Sequence, residues 1–485
     1  MSTTTHRGEF LVRGRHVLTM AGVPGPLDRD RTPGVHLDGV ITDGAVHVRD
    51  GEIVAVAPYR DLAAAHPALE VFGDGTGLVL PGLVSTHTHL SEALGTGMGS
   101  ELSLFAWGAG IVGPLGEALT AEMAAEGTAL RAVEMLLSGV TTVNDMFCHG
   151  NLGSAASVGV VAGLERAGLR GVVSYGAEDV PLVEAGVAPT AVIDDVMAEQ
   201  QALLDAAAGT PLVEYRYGIG TLLGQSDDLL AEGVAWCRAG GHAVHTHLAE
   251  VREELTTAQL RWGRRTVEHA ERLGLFERPL IAGHGVWLNA GEIALLADAG
   301  VAIAHNPVAN MILASGVCPV PALRAAGVPV GIGTDGAASN DSQDMLQAIK
   351  MAALLQKVHT LDPTALDALD VLTMATIDGA RALGLDDLIG SLEPGKRADL
   401  VLLQDTVDVA VLHDPLGQLV YGASPRSVRD VWVDGRQVVA DHACTSVDEA
   451  AQIARCRPLM ADLAAGSGLA AAGHSVLAPV AGGAR

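Results

Sequence analysis

Short apolar runs alternate with helical stretches through the middle of the chain. Leu78–His89, Gly139–Phe147, Leu169–Tyr175, Leu212–Ile219, His242–Leu248, Leu280–His284, Val301–His305 and Val328–Asp335 are eight such runs. Their length, and the turn residues that bound them, predict strands. The pieces between them, such as GEALTAEMAAEGTALRAVEMLLS and DMLQAIKMAALLQKVH, repeat apolar residues at helical spacing. Strands that alternate with helices predict a parallel sheet, and eight units are the number that closes a (β/α)8 TIM barrel.

Both chain ends follow a different pattern. EFLVRGRHVLTM and AVHVRDGEIVAVAPY surround an Asp50-Gly51 turn, and RADLVLLQ and VRDVWVDGRQVVA carry a second one at Asp434-Gly435. Asp-Gly between alternating apolar residues predicts a hairpin. The two ends are therefore expected to meet in a small β-sandwich domain over residues 1–79 and 391–445. The barrel is expected over 80–390, and a C-terminal helix with an Ala/Gly-rich tail over 446–485.

Composition narrows the classes of partner. The 485 residues carry a formal charge of -27, which disfavours nucleic acid and anionic membrane surfaces as partners. Lysine occurs only at Lys350, Lys357 and Lys396. Five cysteines without CxxC spacing predict neither a disulfide framework nor a Cys-rich zinc site. The N-terminus lacks a signal-peptide apolar core, and no apolar run is long enough to span a bilayer. A cytoplasmic homo-oligomer, a dimer or larger, is expected.

The chemistry gathers at the strand ends. His87 and His89 share a face because strand side chains alternate. His245 and His247 do the same, so alternation alone leaves open which of them meets a metal. Glu250 follows three residues after His247, His284 ends the sixth run and Asp335 the eighth. Imidazole and carboxylate are Zn²⁺ ligands, and the C-terminal ends of the strands form the catalytic face of a barrel. The chain thus reads as a metal-dependent hydrolase. Each residue also has a plainer role open to it. Glu250 fits a solvated carboxylate as well as a proton shuttle. His284 fits a fourth ligand or an electrophile outside the ligand set. Asp335 fits an N-cap for a helix beginning near Asp341. His305 and Asn306 fit substrate contacts or a strand-end turn, and Trp107 and Phe105 fit ring-stacking partners or core. Some barrel hydrolases bridge two metals through a carboxylated lysine on strand four, but here no lysine precedes Lys350. A bridge through Glu214 or Cys148 has no support of its own, and one metal is the simpler reading.

The stretches PGLVSTHTH, LSLFAWG, GVTTVNDMF, HTHLAE, HNPVANMILASG, VGIGTDGAASNDSQDM, ATIDGARALGL and GSLEPGKRADLVLL resemble the amidohydrolase superfamily. The branch is the one that holds methylthioadenosine/S-adenosylhomocysteine deaminases, guanine deaminases and triazine hydrolases. The resemblance implies His87, His89, His247 and Asp335 as ligands of one divalent metal, Zn²⁺ foremost, with Fe²⁺ suited to the same donors. It implies Glu250 as proton shuttle and His284 as polarising histidine, and it prefers His247 to His245 because the ligand precedes Leu-x-Glu. The expected reaction is hydrolytic deamination of an aminated N-heterocycle: a purine, pterin, pyrimidine or triazine. The alternatives are a triazine-type hydrolase that displaces chloride or an alkylamine, and a non-catalytic metal-binding barrel. The sequence also departs from the pattern. Many members carry Arg-Gly in the loop after the first histidine pair, whereas this chain has Gly95-Thr96-Gly97 and no basic residue between His89 and Arg131. A small neutral heterocycle, a free base or similar compact ring, is therefore the expected substrate. The loop Leu90–Trp107 should cover it, with Gly95, Gly97 and Gly99 letting the loop move.

Overall fold

Eight parallel strands close into a barrel in the computed structural model, which describes residues 8–23, 39–99, 101–148, 153–181, 190–410 and 413–469. The strands are Leu83–His89, Val140–Phe147, Arg170–Ala177, Val213–Thr221, Val244–Leu248, Leu280–His284, Ala302–His305 and Val330–Ile332. Each pairs with the next, and Ile332 against Ser85 closes the ring. A two-residue extension, Asp335–Gly336, continues the eighth strand and pairs with Thr88 and His89.

One predicted strand is two. Leu78–Pro81 belongs to the small sheet, and only Leu83–His89 enters the barrel. The break falls at Gly82, where an added Cβ would lie 2.0 Å from Thr141 Oγ1. Only glycine allows so close an approach. The Gly82 amide donates to the Asp399 carbonyl at 2.8 Å, so the chain changes sheets there without leaving that donor unmet.

Both chain ends build the second sheet. Its order runs Ala443–Cys444, Arg436–Ala440, Val428–Val433, Leu400–Leu403, Leu78–Pro81, Glu9–Leu18, Val40–Arg49 and Glu52–Pro58, with Glu70–Phe72 also on Glu9–Leu18. The two Asp-Gly turns sit where the hairpins require them, and Asp50, Gly51, Asp434 and Gly435 all have positive φ. Phe10, Phe72 and Trp432 pack together in this sheet's core.

Helices follow the barrel strands, with ends set by local chemistry. Thr120 caps Ala121–Leu137, Ser226 caps Asp227–Gly240 and Asn289 caps Ala290–Asp298. The helix after strand eight is Met345–Thr360. Its cap is Asp344, which accepts from the Leu346 and Gln347 amides. Asp335 is therefore free of the capping role. The C-terminal helix is Glu449–Gly466, and the Ala/Gly-rich tail beyond residue 469 lies outside the described residues. Among the described residues no single helix is long and apolar enough to cross a membrane, and one bent pair meets that test only jointly.

A buried ion pair joins the two sheets. Arg170, at the base of barrel strand three, donates to Asp399 at 3.0 Å, and both are buried. Asp399 also accepts from the Asp434 amide at 2.9 Å. Truncating Asp399 would leave a buried guanidinium with its hydrogen-bonded partner gone and the Asp434 carboxylate 3.8 Å away. Asp399→Ala should lower stability by about 3–5 kcal/mol, which urea denaturation would measure; a loss under 1 kcal/mol would refute this role of the pair.

Candidate metal and catalytic centre

Four strand ends bring the predicted donors together. His87 and His89 come from strand one, His247 from strand five and Asp335 from the extension of strand eight. His87 Nε2 and His89 Nε2 each lie 3.5 Å from Asp335 Oδ1, and His89 Nε2 lies 3.1 Å from His247 Nε2. His87, His89 and Asp335 are almost wholly inaccessible.

The partners of these rings fix where their protons are. His89 Nδ1 is 2.6 Å from the Met146 carbonyl, and His247 Nδ1 bonds the Gly220 carbonyl. A carbonyl can only accept, so both rings carry the proton on Nδ1 and leave a lone pair on Nε2. Those lone pairs face each other across 3.1 Å. His87 Nε2 is buried with no partner. Two unprotonated nitrogens at this distance repel unless a cation lies between them. Nitrogens each ~2.0–2.1 Å from one tetrahedral ion would stand roughly 3.3 Å apart. The donor set therefore fits a divalent ion, by the orientation of its lone pairs and by its spacing.

The charges agree. Burial, reinforced by His87, lowers His89 to about 4, so it stays neutral. Burial alone would raise Asp335, but His284, His87 and His89 outweigh it and hold the carboxylate well below its usual range.

Glu250 and His284 sit beside this cluster. Glu250 Oε2 is 3.4 Å from His284 Nε2, and Glu250 Oε1 is buried with no hydrogen-bond partner at normal distance among the described residues. Burial, with Asp335 and Glu254 nearby, pushes Glu250 well above the carboxylate range. Trp107 and Phe105 line a cavity of ≈ 470 Å³ that opens onto His89, His247, Glu250, His284 and Asp335. His305 and Asn306 are fully buried and are not among its described lining residues.

Comparison with known proteins follows the same lines. Residues 78–438 match the amidohydrolase family. The chain belongs to that family. It is 37% identical over 415 residues to the 5'-deoxyadenosine deaminase of Methanothermobacter thermautotrophicus, covering 85% of this chain and 92% of that protein. It is 34% identical to the 5-methylthioadenosine/S-adenosylhomocysteine deaminase of Pelotomaculum thermopropionicum, with 91% and 95% covered. The crystal structure of an adenosine deaminase from Xanthomonas campestris with bound zinc superposes with a TM-score of 0.83 at 32% identity, over 94% of this chain and 99% of that one.

This amidohydrolase also holds supporting residues that sequence reasoning missed. Glu254 accepts from the Ala249 and Glu250 amides, both at 2.9 Å, and so braces the backbone that carries Glu250. Asn310 Nδ2 lies 2.9 Å from His284 Nδ1, and Asn306, expected as a substrate contact, has its Nδ2 3.3 Å from the same nitrogen. The spacing held a signal: Asn306 and Asn310 are four residues apart across the helix Pro307–Ile312. Glu178, just past strand three, is exposed overall but lines the cavity, where loss of surrounding water raises its carboxyl to about 7. His284 and Asp335 both have left-handed backbones, φ 75° and 66°. Non-glycine residues hold that conformation at a cost of roughly 1–3 kcal/mol each, and it concentrates at functional sites.

The covering loop is more closely packed than expected. An added Cβ at Gly99 would lie 2.2 Å from Trp107 Cδ1, and one at Gly95 would lie 2.6 Å from Leu115 Cδ1. These two glycines admit neighbours. Gly97, at φ 80° with open space around it, is the one that needs glycine's backbone freedom.

Proposed function

We propose that this amidohydrolase deaminates an aminopurine nucleoside whose 5' end is uncharged, releasing ammonia. The observation that carries this reading is a convergent three-histidine, one-aspartate donor set with a buried carboxyl and an imidazole beside it. The named activities of the relatives support the aminopurine. The cavity volume falls in the ~300–1,000 Å³ range of ligand pockets and leaves room beyond a bare ring.

His87, His89, His247 and Asp335 would hold one divalent ion, Zn²⁺ foremost. Such an ion supplies Lewis acidity, which makes water a usable nucleophile near neutral pH. Asp335, held ionised, takes a proton from the attacking water. Glu250, buried and holding a proton, delivers it to the ring nitrogen next to the reacting carbon. Asn310 donates to His284 Nδ1, so the neutral ring keeps its proton on Nε2, aimed at the site. That N–H stabilises negative charge developing on the oxygen that adds to the reacting carbon, and it suits His284 to a donor's role better than a ligand's. The leaving amine takes the proton held by Asp335, the hydroxyl proton of the adduct passes to Glu250, the C–N bond breaks and ammonia leaves. Chloride would need no proton, so two carboxyl groups placed to carry protons favour an amine over a halide. Trp107 and Phe105 would pack on the ring. Asn306 would act through His284.

The wall of the cavity defines the rest of the substrate. Glu92, Glu117 and Glu178 line it, and no Lys or Arg is among the described lining residues. An anionic group on the substrate would find no counter-ion there. Purified protein should release ammonia from 5'-deoxyadenosine, with one ¹⁸O from labelled water in the product. Its kcat/KM should exceed that for adenosine 5'-monophosphate by at least about tenfold, because an anion taken out of water with no cationic partner costs several kcal/mol. Label-free product would refute hydrolysis, and equal turnover of the two would refute this reading of the wall. A homo-oligomer fits the exposed apolar strip of Leu354, Val358 and Leu361 on and just after Met345–Thr360.

A further inference from the structure

His87 is held differently from its neighbours. His89 and His247 each give their Nδ1 proton to a backbone carbonyl. The partner of His87 Nδ1 is another side chain, His245 Nε2, at 2.8 Å. His245 lies two residues before His247 on strand five, one layer deeper in the barrel, and is fully buried.

The direction of this contact can be worked out from its far end. Ser174 Oγ, on strand three, lies 3.0 Å from the Asp145 carbonyl and 3.0 Å from His245 Nδ1. The carbonyl has no proton to give, so the serine hydroxyl must donate to it. Ser174 then has only lone pairs left for His245, and His245 Nδ1 must be the donor between them. A neutral imidazole has one N–H, so His245 Nε2 is an acceptor. His87 Nδ1 therefore carries the proton, and the His87 lone pair is on Nε2. That nitrogen is buried, has no protein partner and faces Asp335 Oδ1 at 3.5 Å. Reversing any link would place the His87 proton on Nε2 and block a cation there.

We infer that His245 is a positioning residue: the line from Asp145 through Ser174 and His245 fixes the tautomer and orientation of His87, and so sets how tightly the four-donor cluster holds its cation. The inference rests on the reading of His87 as a ligand. Its chemistry is that of a histidine whose second nitrogen is oriented from behind, a contact whose loss typically costs 10–100-fold in metal affinity.

The test uses the full chain loaded with Zn²⁺ and a competing chelator, with circular dichroism and thermal unfolding as fold controls. His245→Leu keeps the approximate volume and removes the acceptor, and it should weaken Zn²⁺ retention by roughly 10–100-fold. His245→Gln offers a side-chain oxygen to His87 Nδ1 and should stay within about threefold of the parent, since the acceptor is restored. Parent-like retention in a folded His245→Leu protein would overturn the inference, and so would a His245→Gln protein as leaky as His245→Leu. Should His245→Leu not fold, Ser174→Ala takes its place: it unlocks the line without emptying the layer, a severalfold loss of retention is expected, and parent-like retention overturns the inference. His87→Ala separates the two failures. If it also keeps its metal, the ligand reading has failed; if it loses metal while His245→Leu does not, only the inference has.

Discussion

Glu250→Gln should keep its metal and its fold and lose deaminase activity by roughly a hundredfold or more, the usual range for a general acid–base group. The side chain sits against His284, 3.4 Å from Nε2, and outside the groups of residues whose donor atoms converge as metal ligands. Its carboxyl is pushed well above the normal range by burial and then by the charges of Asp335 and Glu254. That is the direction an acid serving a ring nitrogen needs. Glutamine keeps the size and the polarity but cannot pass a proton on. Glu254, bonded to the backbone amides of Ala249 and Glu250, is untouched by the change, so the loop should keep its shape. Paired measurements of kcat/KM and of metal content would check this. Near-normal turnover by a metal-replete Glu250→Gln protein would reduce Glu250 to a passive carboxylate.

The residues differ in how plainly the sequence announced them. His87 and His89 could be read directly, because a period of two on an apolar run fixes both face and strand end. The eight-strand count was legible from short apolar runs alternating with helical stretches, and the two hairpins from their Asp-Gly turns. The split at Gly82 was not. LVLPGLVSTHTH is apolar on both sides of the break, and what forces it is Thr141, a residue on another strand. Asp335 was ambiguous between cap and ligand, and Asp344, three residues past Asp341, resolved the cap. Glu254 and Asn310 were hidden because their partners are a backbone amide pair and a histidine on a different strand. The two histidines of strand five were indistinguishable by alternation. Depth separates them: His247 faces the cavity, while His245 lies beneath it, bonded to His87 and Ser174. The left-handed backbones of His284 and Asp335 left only a faint signature, since Asp and His adopt such a φ more readily than most residues but far less than glycine.

One tightly bound transition metal per chain is the expected result of metal analysis on the purified protein, and His87→Ala or His247→Ala should abolish both the metal and the activity. Three imidazole lone pairs and one carboxylate oxygen make one four-donor set. Removing one histidine leaves three donors and opens the buried cluster, a larger loss than that of any supporting contact. A second ion would need donors of its own. Lysine is missing from the whole chain before Lys350. Glu214, at the start of strand four, is exposed to solvent at the far end from the cluster. Cys148, just past strand two, is the remaining bridging candidate of the three, since its sulfur lies within 4.8 Å of donor nitrogens on His89 and His247. Burial, with Glu178, Glu92, Asp145 and Asp335 around it, pushes that thiol well above its ordinary value. A single sulfur also leaves a second ion short of the three or four donors such a site needs, since His89 and His247 already serve the first. Cys148→Ala should therefore leave the metal content at about one per chain, the occupancy of a single four-donor zinc site. Two tightly bound ions in the parent protein, falling to one in Cys148→Ala, would replace this reading with a sulfur-bridged pair.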